Sequence, residues 1–218
     1  MNVRKIKSGM VDLEKLNKDL QYYVRLAKET GATHAKIIPA TDVILDYRVQ
    51  YKCMVPKCVS YGTCAHCPPH VPGVEQTEKV IERFQYAILA GMAMPTTNVM
   101  RPTDGSYKPA HDINPPMRSK MHEIVGVIEA QAFYDGYYFA TGFSSGACKK
   151  LWCPDEPCQV LEGKGCRNPL RARPSMEGAG MNVYQMVANA GWDIYPVGSK
   201  IKADDVAHGF FAGLILIY

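Results

Sequence analysis

All eight cysteines of this 218-residue chain fall in two short stretches, four between Cys53 and Cys67 and four between Cys148 and Cys166. A chain this long buries enough surface to fold without disulfide staples. Cysteines that merely pack would be spread through the core elements, not crowded into loops bent by Pro56, Gly62, Pro68, Pro154, Pro157, Gly163 and Gly165. The basic start, Met1 to Ser8, is followed by no apolar stretch, so export is not expected. The longest apolar run, Gly209 to Tyr218, is far short of the ~20 residues that cross a bilayer. The expectation is a cytoplasmic protein with no membrane partner, where disulfides are disfavoured. Clustered thiols in that setting point to metal or redox chemistry.

The spacing narrows the chemistry. The first group reads Cys53-x4-Cys58-x5-Cys64-x2-Cys67-Pro68-Pro69, and the second Cys148-x4-Cys153-x4-Cys158-x7-Cys166. Cys53, Cys58 and Cys67 are separated by five and nine positions, and Cys153, Cys158 and Cys166 by five and eight. Two related three-cysteine cradles result, with Cys64 and Cys148 as the unmatched members. A cubane has four iron corners that each take one thiolate, and a short bent loop wraps it when its ligands are a few residues apart. Structural zinc prefers a close pair followed by a distant second pair, and only Cys64-x2-Cys67 has the tightest spacing. The reading is therefore two [4Fe-4S] clusters, one held by Cys53, Cys58, Cys64 and Cys67, the other by Cys148, Cys153, Cys158 and Cys166. Zinc is the alternative, and His66 or His70 could stand in for a thiolate. His122, on an expected helix, reads as a surface or core residue.

Charge adds a second layer. The net charge of +4 is mild and does not suggest a nucleic-acid partner. Between Tyr51 and Pro72 stand Lys52 and Lys57 and no acid; between Cys148 and Arg173 stand six bases against three acids. Cations near a cluster that carries net negative charge stabilise it and tune its potential. Arg171, Arg173 and Ser175 precede an expected helix start, a natural place for an anion. The chain has no Gly-rich phosphate loop and no dinucleotide fingerprint, so nothing points to a bound nucleotide or flavin.

Periodicity outlines the fold. A helix is expected from near Asp12, with Leu13, Leu16, Leu20, Val24 and Ala27 on one face and Gly31 as its stop. Lys36–Ile38 and Val43–Leu45 read as strand pieces around Pro39, the second leading into Cys53. A helix with Thr77, Val80, Ile81 and Phe84 inward precedes Tyr86 to Met94, a continuous apolar run of the buried-strand kind. Residues 95–117 hold five prolines and read as an excursion or lid. Another helix carries Met121, Ile124, Val125, Ile128 and Ala132 on one side. Tyr137 to Phe143 is expected as a strand, Asn182 to Ala190 as a short helix with Val183, Tyr184 and Val187 inward, and Trp192–Val197 and Gly209–Tyr218 as strands. The pattern defines a single α/β domain over residues 1–218, with a mixed, largely buried sheet, flanking helices and two cysteine-rich cluster-binding loops. Both cysteine groups are expected at carboxyl ends of strands.

Several blocks add a resemblance: Cys53 to Gly62, Cys67-Pro68-Pro69-His70-Val71-Pro72, Cys158 to Arg167, and Arg173 to Val183. Over roughly residues 35–218 the chain resembles the family described as predicted metal-binding proteins, found mainly in anaerobic bacteria and archaea. The resemblance implies cysteine-bound metal, iron–sulfur in kind, and an anaerobic setting. It implies no particular reaction. The expected role is that of an electron carrier or redox subunit serving a redox partner protein. The alternatives are an iron–sulfur enzyme whose open iron binds a small anion, and a zinc-stapled interaction module.

Overall fold

The structure, a computed structural model, describes residues 3–6, 11–98, 115–197 and 201–218. Most of the expected excursion over 95–117 lies outside these residues. The elements in chain order are α1 (Leu13–Glu29), β1 (His34–Pro39), α2 (Tyr47–Met54), α3 (Val74–Ile81), β2 (Tyr86–Met94), α4 (Pro115–Tyr134), β3 (Thr141–Phe143), α5 (Lys149–Trp152), α6 (Val183–Asn189) and β4 (Gly209–Leu216). The four strands form one sheet in the order β1-β2-β4-β3, and every pairing is antiparallel.

The sheet is covered on both faces, which explains why β2 is apolar throughout. Ile88, Ala90 and Met92 point into a core shared with Leu16, Leu20 and Tyr23 of α1 and with Met121, Ile124 and Ile128 of α4. Ala87 and Leu89 point the other way, toward Ile81, Met176, Met181 and Val187. Helix α4 packs directly over two strand positions that are glycines. A Cβ on Gly213 would stand 2.6 Å from Val125 Cγ2, and one on Gly142 would run into Val125 Cγ1. No helix among the described residues is long and apolar enough to cross a membrane.

Between the middle of α1 and the C-terminal end of α4 a polar knot is buried. Asp12 caps α1, accepting from the N–H groups of Glu14 and Lys15. Asp19 accepts from Arg4 Nη1 at 2.6 Å, Tyr137 Oη at 2.8 Å and Lys15 Nζ at 3.1 Å. Asp135 accepts from Arg4 Nε and Tyr23 Oη, both at 2.9 Å. Burial works against ionising Asp19, but the donors outweigh it and hold the carboxyl below its ordinary range.

Several expectations needed correcting. Leu13, Val80 and Tyr184 are exposed rather than inward, and Val24 is only half-buried. Val43–Leu45 is not a strand: Pro39 ends β1, a 3-10 turn follows, and Leu45 keeps a single bridge to Met181. Residues 47–54 form helix α2 instead, capped by Asp46, whose side chain accepts from the Arg48 N–H at 2.8 Å. The first cysteine group therefore starts on a helix and not at a strand end. Gly136, with φ at 100°, turns the chain after α4 and shortens the expected Tyr137–Phe143 strand to Thr141–Phe143. Trp192–Val197 is irregular; Trp192 lies beside His34 and Phe210 rather than pairing as a strand.

Candidate metal centre

Three segments build the site. The first runs from α2 through Cys67 and is turned by Gly62, whose φ is 75°; its N–H donates to the Pro68 carbonyl at 2.8 Å. The second leaves β3 at Phe143 and reaches Cys148, which caps α5. The third, residues 174–182, straps the two together. On one side Ser144 and Ser175 form a bridge, with Ser144 N–H donating to Pro174 O at 2.8 Å and Met176 N–H to Ser144 O at 3.0 Å. On the other, Gln50 Nε2 donates to Gly178 O at 2.9 Å and Asp46 N–H to Gly180 O at 2.9 Å. Gly178 is required here, because a Cβ would lie 2.7 Å from Ser175 Oγ and meet the first loop at His66 O and Pro68 Cδ.

The strap brings the two cysteine groups into contact. All eight cysteines are free thiols. Cys64 and Cys67 are buried, at 1% and 6% exposure, and pack with Ala147, Cys148 and Cys158. The neighbouring Cys148 and Cys67 thiols, as donors to a Cys64 thiolate, pull the Cys64 pKa well down, with the nearby His66 backbone and ring adding to the effect. Hydrogen bonding to Cys64 followed by burial pushes Cys67 and Cys148 up. Cys64 is thus the thiol of this trio that ionises first. Further out, burial followed by the Cys58 thiol and Glu177 raises Cys53. Glu177 keeps some exposure as a residue, but its carboxyl is surrounded by protein and raised by that burial.

Beside the trio opens a small cleft lined by Cys64, Cys148, Cys153, Cys158 and Cys166 among others. Nitrogen donors face its sulfurs. His66 Nδ1 lies 3.3 Å from Cys148 Sγ, the Asn168 N–H donates to Cys166 Sγ at 3.3 Å, and Asn168 Nδ2 donates to Cys153 Sγ at 3.5 Å. Burial lowers the His66 pKa. His122 is fully buried against Trp152, at 4.8 Å between ring centroids, and burial lowers it to about 4. The carbonyls of Arg171 and Ser145 lie near that ring, yet neither nitrogen makes a hydrogen bond of good geometry.

Eight free thiols on two adjoining loops are a donor set suited to a thiolate-ligated metal group. Among the described residues no three His, Cys, Asp or Glu side chains converge as the ligands of a single metal ion.

The other expected site residues lie elsewhere. Arg171 is exposed, Arg173 pairs with Glu129 and donates to Pro169 O and Ala172 O, and Ser175 Oγ accepts from the Gly178 N–H at 2.9 Å. None of the three lines the cleft, whereas Arg167 does, paired with Glu156 at 2.8 Å. His70 is exposed. Arg167 is one of the bases read around the second cysteine group, whereas Asn168 carried no assigned role; its place two positions after Cys166 was the available signal.

Fold and site define a class: an α/β domain whose sheet and helices carry two thiol-bearing loops meeting at a common cleft. The chain belongs to the family described as predicted metal-binding protein (DUF2284), whose model matches residues 36–217. No curated protein and no solved structure matches it.

Proposed function

We propose that the chain holds two [4Fe-4S] clusters and serves as a cytoplasmic electron carrier or redox subunit in anaerobic metabolism. Cys53, Cys58, Cys64 and Cys67 hold one cluster, and Cys148, Cys153, Cys158 and Cys166 the other. The observation that carries this reading is a set of eight free thiols on two loops, pressed together at Cys64 and Cys148, with N–H donors turned toward their sulfurs. Bound there, the clusters supply one-electron chemistry at potentials between roughly −700 and +450 mV. The protein's own groups set the value: His66 and Asn168 donate to ligand sulfur, and burial of Cys64 and Cys67 keeps water from them. A redox partner would approach from the first loop, where Cys58 is exposed beside Val55 and Val59.

Metal analysis with EPR on protein purified without oxygen tests this. About eight irons per chain, with matching sulfide, is the expected result, two cubanes having four irons each. Iron near zero sinks the proposal. A colourless protein with about two zinc ions would instead establish the zinc-stapled module.

A further inference from the structure

We infer that helix α2 and the loop after it, residues 47–59, form the docking face for an acidic electron-carrier protein. The inference rests on the redox-subunit reading and adds to it where the partner binds and what its surface must carry. A surface helix ordinarily turns its apolar stripe toward the core. Helix α2 does the reverse. None of its residues is buried. Its inward side is fixed by a polar contact, Gln50 Nε2 to Gly178 O at 2.9 Å, and its start by the Asp46 cap. Tyr47, Tyr51 and Val55 follow at four-residue spacing along the outward side, with Met54 beside them. These four and Val59 of the loop each keep between 46% and 60% of their surface exposed. Large apolar side chains gathered so closely on the outside mark an interaction site, whereas scattered ones do not.

Charge selects the occupant. Lys52 and Lys57 are exposed among these side chains, and neither forms an ion pair among the described residues. Lys57 Nζ lies 5.5 Å from the centre of the Tyr61 ring. No acid stands between Tyr51 and Pro72. Arg48, by contrast, is held by Asp46 at 2.6 Å, and Glu75 accepts from the Tyr47 hydroxyl at 2.9 Å. The unpaired positive charge therefore gathers at the Lys52–Lys57 end, beside the exposed Cys58. Tyrosine and methionine at the centre with charge at the rim is the anatomy of a protein interface, and carboxylates on the partner complement this rim. A second copy of the chain would set these lysines against their own equivalents across a two-fold axis, which like-charge repulsion opposes. A nucleic acid asks for a row of phosphate contacts that two lysines around an apolar centre do not supply. None of these residues lines the thiol cleft, so the face is separate from it. Held in place before the partner arrives, α2 adds little ordering cost to binding.

The test is sedimentation velocity of the anaerobic chain, alone and mixed with an acidic two-cluster ferredoxin, with iron counted in the same samples. A complex should form at low ionic strength and weaken as salt rises. Lys52→Glu and Tyr51→Ala should each weaken it about tenfold or more. Lys18→Glu, the same change of charge at an exposed position of α1, should leave it unchanged. Tyr51 and Lys52 are exposed, so both variants keep the fold, which circular dichroism checks. No complex at low ionic strength, or one indifferent to Lys52→Glu and Tyr51→Ala, overturns the docking face and leaves the iron–sulfur reading standing wherever iron is found. Self-association that Tyr51→Ala abolishes overturns it in favour of a second copy. A salt-sensitive complex formed by a chain without iron, and lost in both variants, keeps the face and removes the iron–sulfur reading.

Discussion

Replacing Asp19→Ala removes the acceptor on which three donors converge between the middle of α1 and the end of α4. The residue is 6% exposed. Its loss takes the acceptor from Lys15 and from the buried Tyr137 hydroxyl, and leaves Arg4 with Asp135 alone. Removing one partner of a buried ion pair costs about 3–5 kcal/mol. The Arg4 and Lys15 side chains keep 36% and 45% of their exposure and can regain water. That places the loss near the low end, about 3 kcal/mol. For a domain of this size each kcal/mol shifts Tm by about 2–4 °C, giving a fall of about 6–12 °C. Lys18→Ala is the control, because the Lys18–Glu14 pair on the same helix is 72% and 79% exposed. It should cost less than about 1 kcal/mol. Both are read by thermal unfolding of anaerobic protein near neutral pH. Because the folded pKa of Asp19 is depressed, its contribution is present above the ordinary carboxylate value of 3.8 and fades as pH falls through the lower folded value. The gap between wild type and Asp19→Ala should therefore start to narrow as pH drops below 3.8 and be largely closed once it has passed through the lower folded value. If Asp19→Ala proves no more costly than Lys18→Ala, the polar knot contributes nothing beyond a surface ion pair and the reasoning is wrong.

Two further outcomes follow from the packing and the site. Gly142→Ala forces a methyl group into Val125 Cγ1 and to 2.9 Å from Glu129 Oε2, and overpacking of this kind costs about 1–3 kcal/mol; unchanged urea denaturation would show that α4 has room to lift from the sheet. His66→Ala removes the donor 3.3 Å from Cys148 Sγ. Losing an outer-shell partner typically weakens metal binding about 10–100-fold, so metal release to a chelator should quicken and one midpoint potential should fall, while unchanged release and potentials would exclude the contact from tuning.

What could be read in advance depended on whether burial had left a mark on the chain. Helix α4 was legible because Met121, Ile124, Val125, Ile128 and Ala132 all face one core. Strand β2 was legible as a buried run because both its faces are covered. Helix α2 left no such mark, since none of its residues is buried, and it is held by a cap and by hydrogen bonds to the strap. The antiparallel order was hidden too, because a strand covered on both faces reads alike in either direction. In the site, the spacing singled out Cys64 and Cys148 as odd members of their groups. Their meeting was not readable, since it depends on residues 174–182 drawing together segments some eighty positions apart. Asn168 was equally silent: an asparagine after a cysteine gains its role only when the loop turns its amide back toward sulfur.

The order β1-β2-β4-β3 places the last strand made between two earlier ones. On the ribosome, β2 and β3 have no shared neighbour until residues 209–216 emerge, and the strap that aligns the thiols also trails all eight of them. A nascent chain thus displays every cysteine before it owns a frame to hold them. Shielding those thiols from oxidation in the interval falls to the cell rather than to the fold.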